Sequence, residues 1–208
     1  GNQEIPGPTK QAFAQLALNN IQAQIAETPR DARMYLLGGN FINTVGQYDM
    51  AQPLLEKGHM LSPMKQSAIL ELVQNYFNTG KMGEAAALLK ESYESEPNHP
   101  QIRLAYAMAL TILGQEAEAR VMFNDDPTIF NTEQMAQLYA SLKRYDRAIA
   151  IYKALIVKDS SNVDLRSKLA QIQYQAGMKT QAIQTLRDIA KDRPELKDQI
   201  EAAIKSVQ

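Results

Sequence analysis

The chain has 208 residues, a formal net charge of −1, 45% hydrophobic residues and 22% charged residues, which is ordinary for a soluble globular protein. No sequence-wide basic field exists to hold phosphates, so nucleic-acid binding is not expected. The absence of cysteine excludes disulfides and cysteine-based zinc sites, and no apolar run approaches the roughly 18 residues that span a bilayer.

Residues 1–8, with Pro6, Gly7 and Pro8, predict a flexible tail or linker. Residues 9–208 predict one all-α domain. It opens with a capping helix over residues 9–27, in which apolar residues recur at helical spacing. These residues are Phe13, Leu16, Ala17, Ile21 and Ile25.

A 34-residue period organises most of the remaining chain. Pro29, Pro63 and Pro97 are each 34 residues apart (63 − 29 and 97 − 63), and four further marker columns keep the same step. The columns hold alanine (Ala51, Ala85, Ala119, Ala148, Ala182), glycine or lysine (Gly46, Gly80, Gly114, Lys143, Gly177), a compact residue (Gly39, Val73, Ala107, Ala136, Ala170) and a large apolar residue (Leu55, Leu89, Phe123, Tyr152, Leu186). All columns share one five-residue deletion, since Ala119 and Ala148 are only 29 residues apart.

Each column has a physical role in a pair of packed helices. Glycine permits the positive φ of a chain reversal, compact residues let two helices approach closely, and proline ends the second helix. The pattern predicts an α-solenoid of about five helix–turn–helix units over residues 32–65, 66–99, 100–128, 129–162 and 163–196. A capping helix over residues 195–206 is predicted to close it, with an apolar stripe of Leu196, Ile200, Ile204 and Val207.

Two places interrupt the pattern. Pro53, inside the second helix of the first unit, predicts a kink or a late helix start. In the shortened unit the second helix is predicted to end near Phe123, and Asn131 is predicted to cap the next helix in a capping box with Gln134. Residues 125–127 are compatible with either a hinge or a rigid tight turn.

The marker residues resemble the tetratricopeptide repeat, a 34-residue helix–turn–helix unit, over residues 32 to about 194. The resemblance implies a non-enzymatic scaffold that binds a protein or peptide in a concave groove lined by the first helices. The columns predicted to face this groove are rich in carboxamides. The predicted partner-binding residues are Arg33, Asn40, Asn43, Gln74, Phe77, Asn78, Met108, Gln137, Gln171 and Tyr174.

Carboxamides both donate and accept hydrogen bonds, so they suit a peptide backbone or a sugar hydroxyl, and the aromatic rings can stack on either ligand. The alternative, that exposed helix positions simply hold polar residues, stays open. Tetratricopeptide domains that grip a chaperone's terminal carboxylate use a Lys/Arg clamp. The matching positions here hold Leu36, Glu71 and Gln101, so that activity is not expected.

No pattern indicates catalysis, a cofactor or a metal site. His59 and His99 are the only histidines, and they lie in different repeats near the ends of second helices. We interpret both as solvated polar residues, since they cannot form a metal-binding pair at i, i+4 spacing. Asp125 and Asp126 lack the rest of a calcium-binding loop. The nine methionines are interpreted mainly as core residues.

A narrower resemblance concerns residues 29–36 (PRDARMYL) and Gly46-Gln47-Tyr48-Asp49, together with residues 61–66 and 194–199. These runs are similar to the repeat region of bacterial membrane proteins of the O-antigen ligase or polymerase-like family. The resemblance implies a periplasmic appendage that does not itself span the membrane but is tethered to it by a catalytic part outside these residues. A free-standing adaptor, periplasmic or cytoplasmic, and an accessory module that binds a carbohydrate or small ligand are the alternatives. The oligomeric state is not readable.

Overall fold

The computed structural model describes the backbone of residues 7–207 and the side chains of residues 15–205. The chain divides into two compact units, unit 1 (Gly1–Ala109) and unit 2 (Leu110–Gln208). The described helices are α1 (Gly7–Glu27), α2 (Ala32–Thr44), α3 (Tyr48–Leu61), α4 (Gln66–Asn78), α5 (Met82–Ser95), α6 (Pro100–Ile112), α7 (Glu116–Met122), α8 (Pro127–Phe130), α9 (Glu133–Ser141), α10 (Tyr145–Lys158), α11 (Val163–Gln175), α12 (Lys179–Asp192) and α13 (Lys197–Val207).

The predicted all-α architecture of successive helix pairs is confirmed. Each of the five predicted repeats holds two main helices: α2–α3, α4–α5, α6–α7, α9–α10 and α11–α12. Within unit 1, α1 packs on α2, α2 on α3, α3 on α4 and α4 on α5. Within unit 2, α9 packs on α10, α10 on α11, α11 on α12 and α12 on α13. Within each unit, these helices therefore cover the apolar faces of their neighbours in the chain, as in a repeat protein. No helix among the described residues is both long and apolar enough to cross a bilayer.

The marker columns form the interior of these pairs. The five alanines of the second helices are 0–1% exposed, and the compact residues of the first helices are buried opposite them. Two glycines of the first pair allow the closest contact. A Cβ on Gly39 would lie 2.6 Å from Cγ of Leu55, and a Cβ on Gly58 would lie 2.6 Å from Cδ2 of Leu36. Both distances are shorter than real Cβ contacts, so α2 and α3 could not pack this closely with larger residues.

The turns inside the repeats use left-handed backbone. The four glycines of the turn column have φ values between 74° and 80°, and Lys143 adopts φ 58° at the same place in the fourth repeat. A side chain with a Cβ in this conformation costs about 1–2 kcal/mol. The fourth repeat thus keeps the turn geometry of the others with a strained lysine.

The first helix differs from the prediction in two details. It begins at Gly7, so Gly7 and the next residue belong to the helix and not to the predicted tail, whose residues 1–6 lie outside the described residues. Leu16, predicted to face the core, is 56% exposed, whereas Leu18 packs against the core of unit 1 and Ile21 is buried. At 100° per residue, Leu16 lies on nearly the opposite side of the helix from Leu18. The side chain of Phe13, another predicted member of the apolar stripe, lies outside the described side chains.

The last helix carries the predicted apolar stripe. Ile200 and Ile204 are buried in a cluster with Ile189, and Leu196 packs at its edge. A 3-10 turn over Pro194–Leu196 precedes the helix, which therefore begins at Lys197. The side chain of Val207, the fourth predicted member of the stripe, lies outside the described side chains.

The predicted effect of Pro53 was partly wrong, because α3 begins at Tyr48 without delay and continues past the proline to Leu61. The prediction at Phe123 was correct, since α7 ends at Met122 with Phe123 as its C-cap.

The shortened repeat contains an unpredicted helix, α8. Asp126 caps it, because one of its carboxylate oxygens accepts the backbone N–H of Thr128 at 2.8 Å. The side chains of Ile129 and Phe130 are each 2% exposed. This burial favours the rigid turn over the hinge for residues 125–127.

The predicted N-cap of α9 is displaced by one residue. Oγ1 of Thr132 accepts the backbone N–H of Met135 at 3.2 Å, so Thr132 is the cap. Asn131 instead ends α8, because the extra turn that begins at Pro127 uses the residues expected to be a linker.

A network of charged side chains surrounds Glu116 in the shortened repeat. The carboxylate of Glu116 accepts hydrogen bonds from the Tyr139 hydroxyl at 2.7 Å and from Nε of Arg120 at 2.9 Å, and it pairs with Nη2 of Arg144 at 2.6 Å. Arg120 also binds Asp125 at 2.7 Å. Burial alone would raise the pKa of Glu116, but the hydroxyl and the two guanidinium groups outweigh it and hold that pKa at about 2. The network joins α7, α9 and α10.

Candidate partner-binding site

In unit 1, several predicted groove residues form one polar surface across α2 and α4. Asn40, Gln74 and Asn78 are exposed, and Phe77 is half-buried beside them in the sequence. Nδ2 of Asn40 donates to Oε1 of Glu71 at 3.4 Å, which joins the two helices. Nε2 of Gln74 donates to Oδ1 of Asn78 at 3.3 Å. The structure therefore brings together residues of the first two repeats that the sequence assigned to the groove.

Asn43 has a structural role as well. Its side-chain oxygen accepts a hydrogen bond at 2.8 Å from Nδ2 of Asn75. The residue Asn75 is completely buried. The same Nδ2 donates to the backbone oxygen of Tyr48 at 2.8 Å. Asn43 thus helps to hold the turn between α2 and α3 against α4, and only its amide nitrogen remains for a ligand.

Glu71 belongs to this surface although the prediction omitted it. It lies on α4 at i, i+3 and i+7 spacing with Gln74 and Asn78, so the helical period alone would have placed it on the same side. Burial raises the pKa of its carboxyl group, while Lys65 and Asn40 oppose the shift. Its Oε2 atom is buried and has no hydrogen-bond partner among the described residues.

Arg33 and Met108 are less clearly part of a site. The guanidinium of Arg33 is largely exposed and pairs with Asp31 at 2.7 Å, at the N-terminus of α2. That hydrogen bond lowers the pKa of the Asp31 carboxyl. Met108 is half-buried on α6. No described contact joins either residue to the surface around Asn40.

In unit 2, two predicted residues line one hollow of about 550 Å³ formed by α9, α10 and α11. Gln137 comes from the fourth repeat and Gln171 from the fifth, and both are exposed. The hollow is lined by Gln137, Ala140, Ser141, Lys143, Tyr145, Tyr152, Lys168, Gln171, Ile172 and Gln175. Tyr174 is 39% exposed and lies outside this lining, with Nζ of Lys179 5.8 Å from its ring centre.

Of the two lysines that line this hollow, Lys168 is held by two ion pairs. Nζ of Lys168 lies 2.5 Å from a carboxylate oxygen of Glu133 and 2.5 Å from one of Asp164. Hydrogen bonds to these two carboxylates raise the pKa of Lys168. Nε2 of Gln137 donates to Glu133 at 2.9 Å, and burial raises the pKa of Tyr152. The hollow therefore presents amides, the half-buried phenol of Tyr145, the paired Lys168 and the exposed Lys143, which suit polar groups of a ligand.

The histidines differ from the solvated residues that the sequence predicted. His59 is half-buried, and burial lowers the pKa of its imidazole although Glu91 opposes the shift. Nδ1 of His99 accepts the backbone N–H of Ile102 at 3.3 Å at the start of α6. Among the side chains that the structure describes, no group of three histidine or carboxylate residues is placed to hold a metal ion.

The methionines are mostly at the surface, so their interpretation as core residues was wrong. Only Met135 is buried. Five have large exposed fractions, between 41% and 64%: Met50, Met60, Met64, Met122 and Met178. Their spacing follows the helices, but they fall on outer positions of the repeats.

The sequence matches the tetratricopeptide repeat family over residues 79–142 and 139–205. It is 27% identical over 126 residues to the human protein O-mannosyl-transferase TMTC1, an alignment that covers 58% of this chain and 14% of that protein. The chain thus spans a small part of that relative.

Two solved structures have a similar fold. A tetratricopeptide repeat protein from Parabacteroides merdae aligns with a TM-score of 0.67 and 13% identity, over 88% of this chain and 75% of that chain. YrrB, a tetratricopeptide repeat protein with an unusual peptide-binding site, aligns with a TM-score of 0.50 and 16% identity, over 88% of this chain and 97% of that chain. The family match and the buried marker columns agree: the chain belongs to the tetratricopeptide repeat family of protein-interaction scaffolds.

Proposed function

We propose that this chain is a non-enzymatic scaffold that binds an extended segment of a partner protein along the polar sides of its first helices. The observation that carries the proposal is the hollow of unit 2. There, Gln137 and Gln171 from successive repeats line one hollow with a volume of about 550 Å³. That volume falls within the range of about 300–1,000 Å³ that is usual for ligand sites.

The chemistry of the hollow suits a peptide backbone. An extended chain presents N–H and C=O groups that need partners, and each glutamine amide can both donate and accept. The half-buried Ala140 and Tyr145 of the lining offer contact surface for side chains between these hydrogen bonds. The fold of YrrB, a protein described by its peptide-binding site, gives further support.

Unit 1 offers a second surface of the same kind. Asn40, Gln74 and Asn78 supply amides, and Glu71 adds a half-buried carboxylate with one unpartnered oxygen. The negative charge of Glu71, which is partly exposed at this surface, favours a ligand segment that carries a cationic side chain. We therefore expect the two surfaces to prefer different peptide sequences.

A peptide library displayed on phage and selected on the intact chain would test the proposal. Selected peptides are synthesised and their affinity is measured by fluorescence anisotropy. The double variant Gln137→Ala with Gln171→Ala should bind those selected peptides that occupy the hollow of unit 2 about tenfold or more weakly. The reason is that two hydrogen bonds of about 1 kcal/mol each are removed.

The matched control is Gln134→Ala with Gln181→Ala, two exposed glutamines of unit 2 outside the hollow. This control should keep the parent affinity, and circular dichroism should show equal helicity in all variants. Equal affinities for the parent and the Gln137/Gln171 variant would show that the hollow is not the site.

A carbohydrate-binding accessory module is the second candidate function. Tyr174 is exposed one helical turn after Gln171, and an aromatic face beside amides suits a sugar ring. A glycan array probed with the parent chain and the Gln137/Gln171 variant separates the two functions. A glycan signal that the variant loses supports the module, and a blank array together with peptide binding contradicts it.

We further propose that the chain is a repeat appendage of a larger, membrane-tethered glycan-handling protein and lies outside the cytoplasm. Two resemblances support this proposal: the runs similar to O-antigen ligase-like proteins, and the partial match to a protein whose name denotes an O-mannosyl-transferase. The competing proposal is a free-standing adaptor in the periplasm or the cytoplasm. The native reading frame decides between them, because several apolar spans of about 20 residues in the same frame would favour the appendage and their absence would favour the adaptor.

A further inference from the structure

A second groove lies between α12 and α13 of unit 2, apart from the hollow of the first helices. It encloses about 690 Å³ and is lined by residues of both helices and of the turn between them. The lining residues are Arg187, Ala190, Lys191, Pro194, Lys197, Ile200, Glu201, Ile204 and Lys205. We name it the C-terminal groove.

The lining follows the period of both helices. On α12 it uses positions 187, 190 and 191, and Pro194 continues the same step. On α13 it uses positions 197, 200, 201, 204 and 205. Lining residues at i, i+3, i+4 and i+7 extend along about two helical turns, roughly 10 Å. The groove therefore runs along about two turns of both helices, which gives room for the apolar stripe of another helix.

The rim of the C-terminal groove is basic. Four cations line it against one carboxylate, Glu201, which lies 3.8 Å from Lys197 and is more than half exposed. Arg187, Lys191 and Lys205 have no ion-pair partner among the described side chains. Neighbouring cations of the same unit are paired more closely, as in Arg166 with Asp192 at 2.7 Å.

The floor of the groove is apolar and recessed. Ile200 and Ile204 are each 8% exposed, and Ala190 is half-buried beside them. No described residue of α12 or α13 is a large exposed hydrophobic side chain. Helices that bind a bilayer surface insert large exposed apolar residues, so this face does not suit a membrane. A protruding apolar stripe on a partner helix would reach the floor between the charged side chains.

We propose that the C-terminal groove binds an acidic amphipathic helix of a partner protein. The apolar residues of the partner, spaced at i, i+3 or i+4 and i+7, cover Ala190 and the two isoleucines. Its flanking carboxylates pair with Arg187, Lys191 and Lys205. This site is independent of the peptide surface of the first helices, so the chain can hold two partners or two segments of one partner.

The test uses a fluorescent synthetic peptide of about four turns, with leucine at the apolar positions and glutamate on both flanks. Its affinity for the intact chain is measured by anisotropy at about 0.1 M salt. Lys191→Glu with Lys205→Glu should weaken binding about tenfold or more, because it places two carboxylates against the acidic flanks. The matched control, Lys153→Glu with Lys158→Glu, reverses two exposed lysines of α10 and should change affinity less than about twofold.

Three further arms define the outcome. A peptide with glutamine in place of leucine should bind at least about tenfold more weakly, which shows that the floor contributes. Vesicles that contain phosphatidylserine should not bind the parent chain. The Gln137/Gln171 variant should bind the acidic peptide normally, which separates this proposal from the peptide surface. No measurable binding of the acidic peptide, equal losses in both lysine variants, or vesicle binding without peptide binding would each overturn the proposal.

Discussion

The first repeat and the shortened repeat, whose second helix lies in unit 2, are held together by different interactions. In the first repeat, α3 has 14 residues and packs closely on α2 because Gly39 and Gly58 carry no side chain. In the shortened repeat, α7 has only 7 residues, and the charged network of Glu116 occupies the space beside it. One repeat relies on apolar contact between two full helices, and the other on a buried carboxylate with several partners.

The difference shows how a repeat tolerates a deletion. The second helix of the shortened repeat has half the length of α3, and the short helix α8 follows it. A carboxylate that is mostly buried stabilises a fold only when each oxygen has strong partners. Arg120, Arg144 and Tyr139 supply those partners, so the shortened repeat depends on a few side chains that the other repeats lack.

Removal of the central carboxylate should have the largest effect. Glu116→Gln should lower the free energy of unfolding by about 3 kcal/mol, because the lowered pKa corresponds to 1.36 × (4.5 − 2) kcal/mol and both arginines lose their anionic partner. The control Glu118→Gln, on the exposed side of the same helix, should change stability by less than about 0.5 kcal/mol. Urea denaturation of both variants measures the effect. Equal stabilities would show that the network contributes nothing to the shortened repeat.

The same carboxylate should give unit 2 an acid-sensitive stability. The pKa of Glu116 is about 2 in the folded chain and about 4.5 ordinarily, so its stabilisation is complete above pH 4.5 and is lost as the pH falls towards 2. About 2 kcal/mol of it should be lost at pH 3. Denaturation of the parent and Glu116→Gln between pH 7 and pH 3 isolates this contribution from the other carboxylates. A stability difference that does not shrink with acid would contradict the assigned pKa.

In the first repeat, a side chain at Gly39 should destabilise the chain by preventing the close approach of α2 and α3. Gly39→Ala should destabilise the chain by about 2 kcal/mol, because its Cβ would overlap the buried side chain of Leu55. Gly83→Ala is the matched control. Gly83 lies in α5 with nothing within 4 Å of the added Cβ, so alanine there should stabilise by up to about 1 kcal/mol. Destabilisation of the same size in both variants would show that packing space at Gly39 is not the cause.

Relief of the backbone strain at Lys143 in unit 2 should have a smaller effect and should raise the free energy of unfolding instead of lowering it. Lys143→Gly should raise stability by up to about 1 kcal/mol, since φ 58° strains lysine and not glycine. The reverse change, Gly177→Ala at φ 77°, should lower stability by about 1 kcal/mol. Thermal unfolding of both variants gives the comparison. A decrease on Lys143→Gly would mean that the lysine side chain contributes more at this turn than its strain costs.

The repeat register was predictable because it depends on local rules. Buried alanines such as Ala85 and Ala148, and the turn glycines, follow from helix packing and from φ preferences that any one repeat displays. The middle of α1 shows where local rules are insufficient. Leu16 and Leu18 are both apolar, and only the position of α2 decides which of them is buried.

Contacts between repeats were harder to predict. The Glu116 network joins residues 23 and 28 positions apart (139 − 116 and 144 − 116), and no marker column contains them. Glu71 and Lys168 could have been found by extending the groove columns one helical turn, since they precede Gln74 and Gln171 by three residues. The ion pair of Lys168 with Glu133 could not have been found in this way, because Glu133 belongs to another repeat.

The sequential packing of the helices also has a kinetic consequence. Within each unit a helix contacts chiefly the helices before and after it, so few contacts require distant parts of the chain to meet. Chains with such low contact order fold fast, and a repeat array can begin to fold at any well-formed pair and extend from it. We expect unit 1 and unit 2 to show separate hydrogen-exchange protection, with amides of the shortened repeat exchanging earliest in acid, where Glu116 becomes protonated.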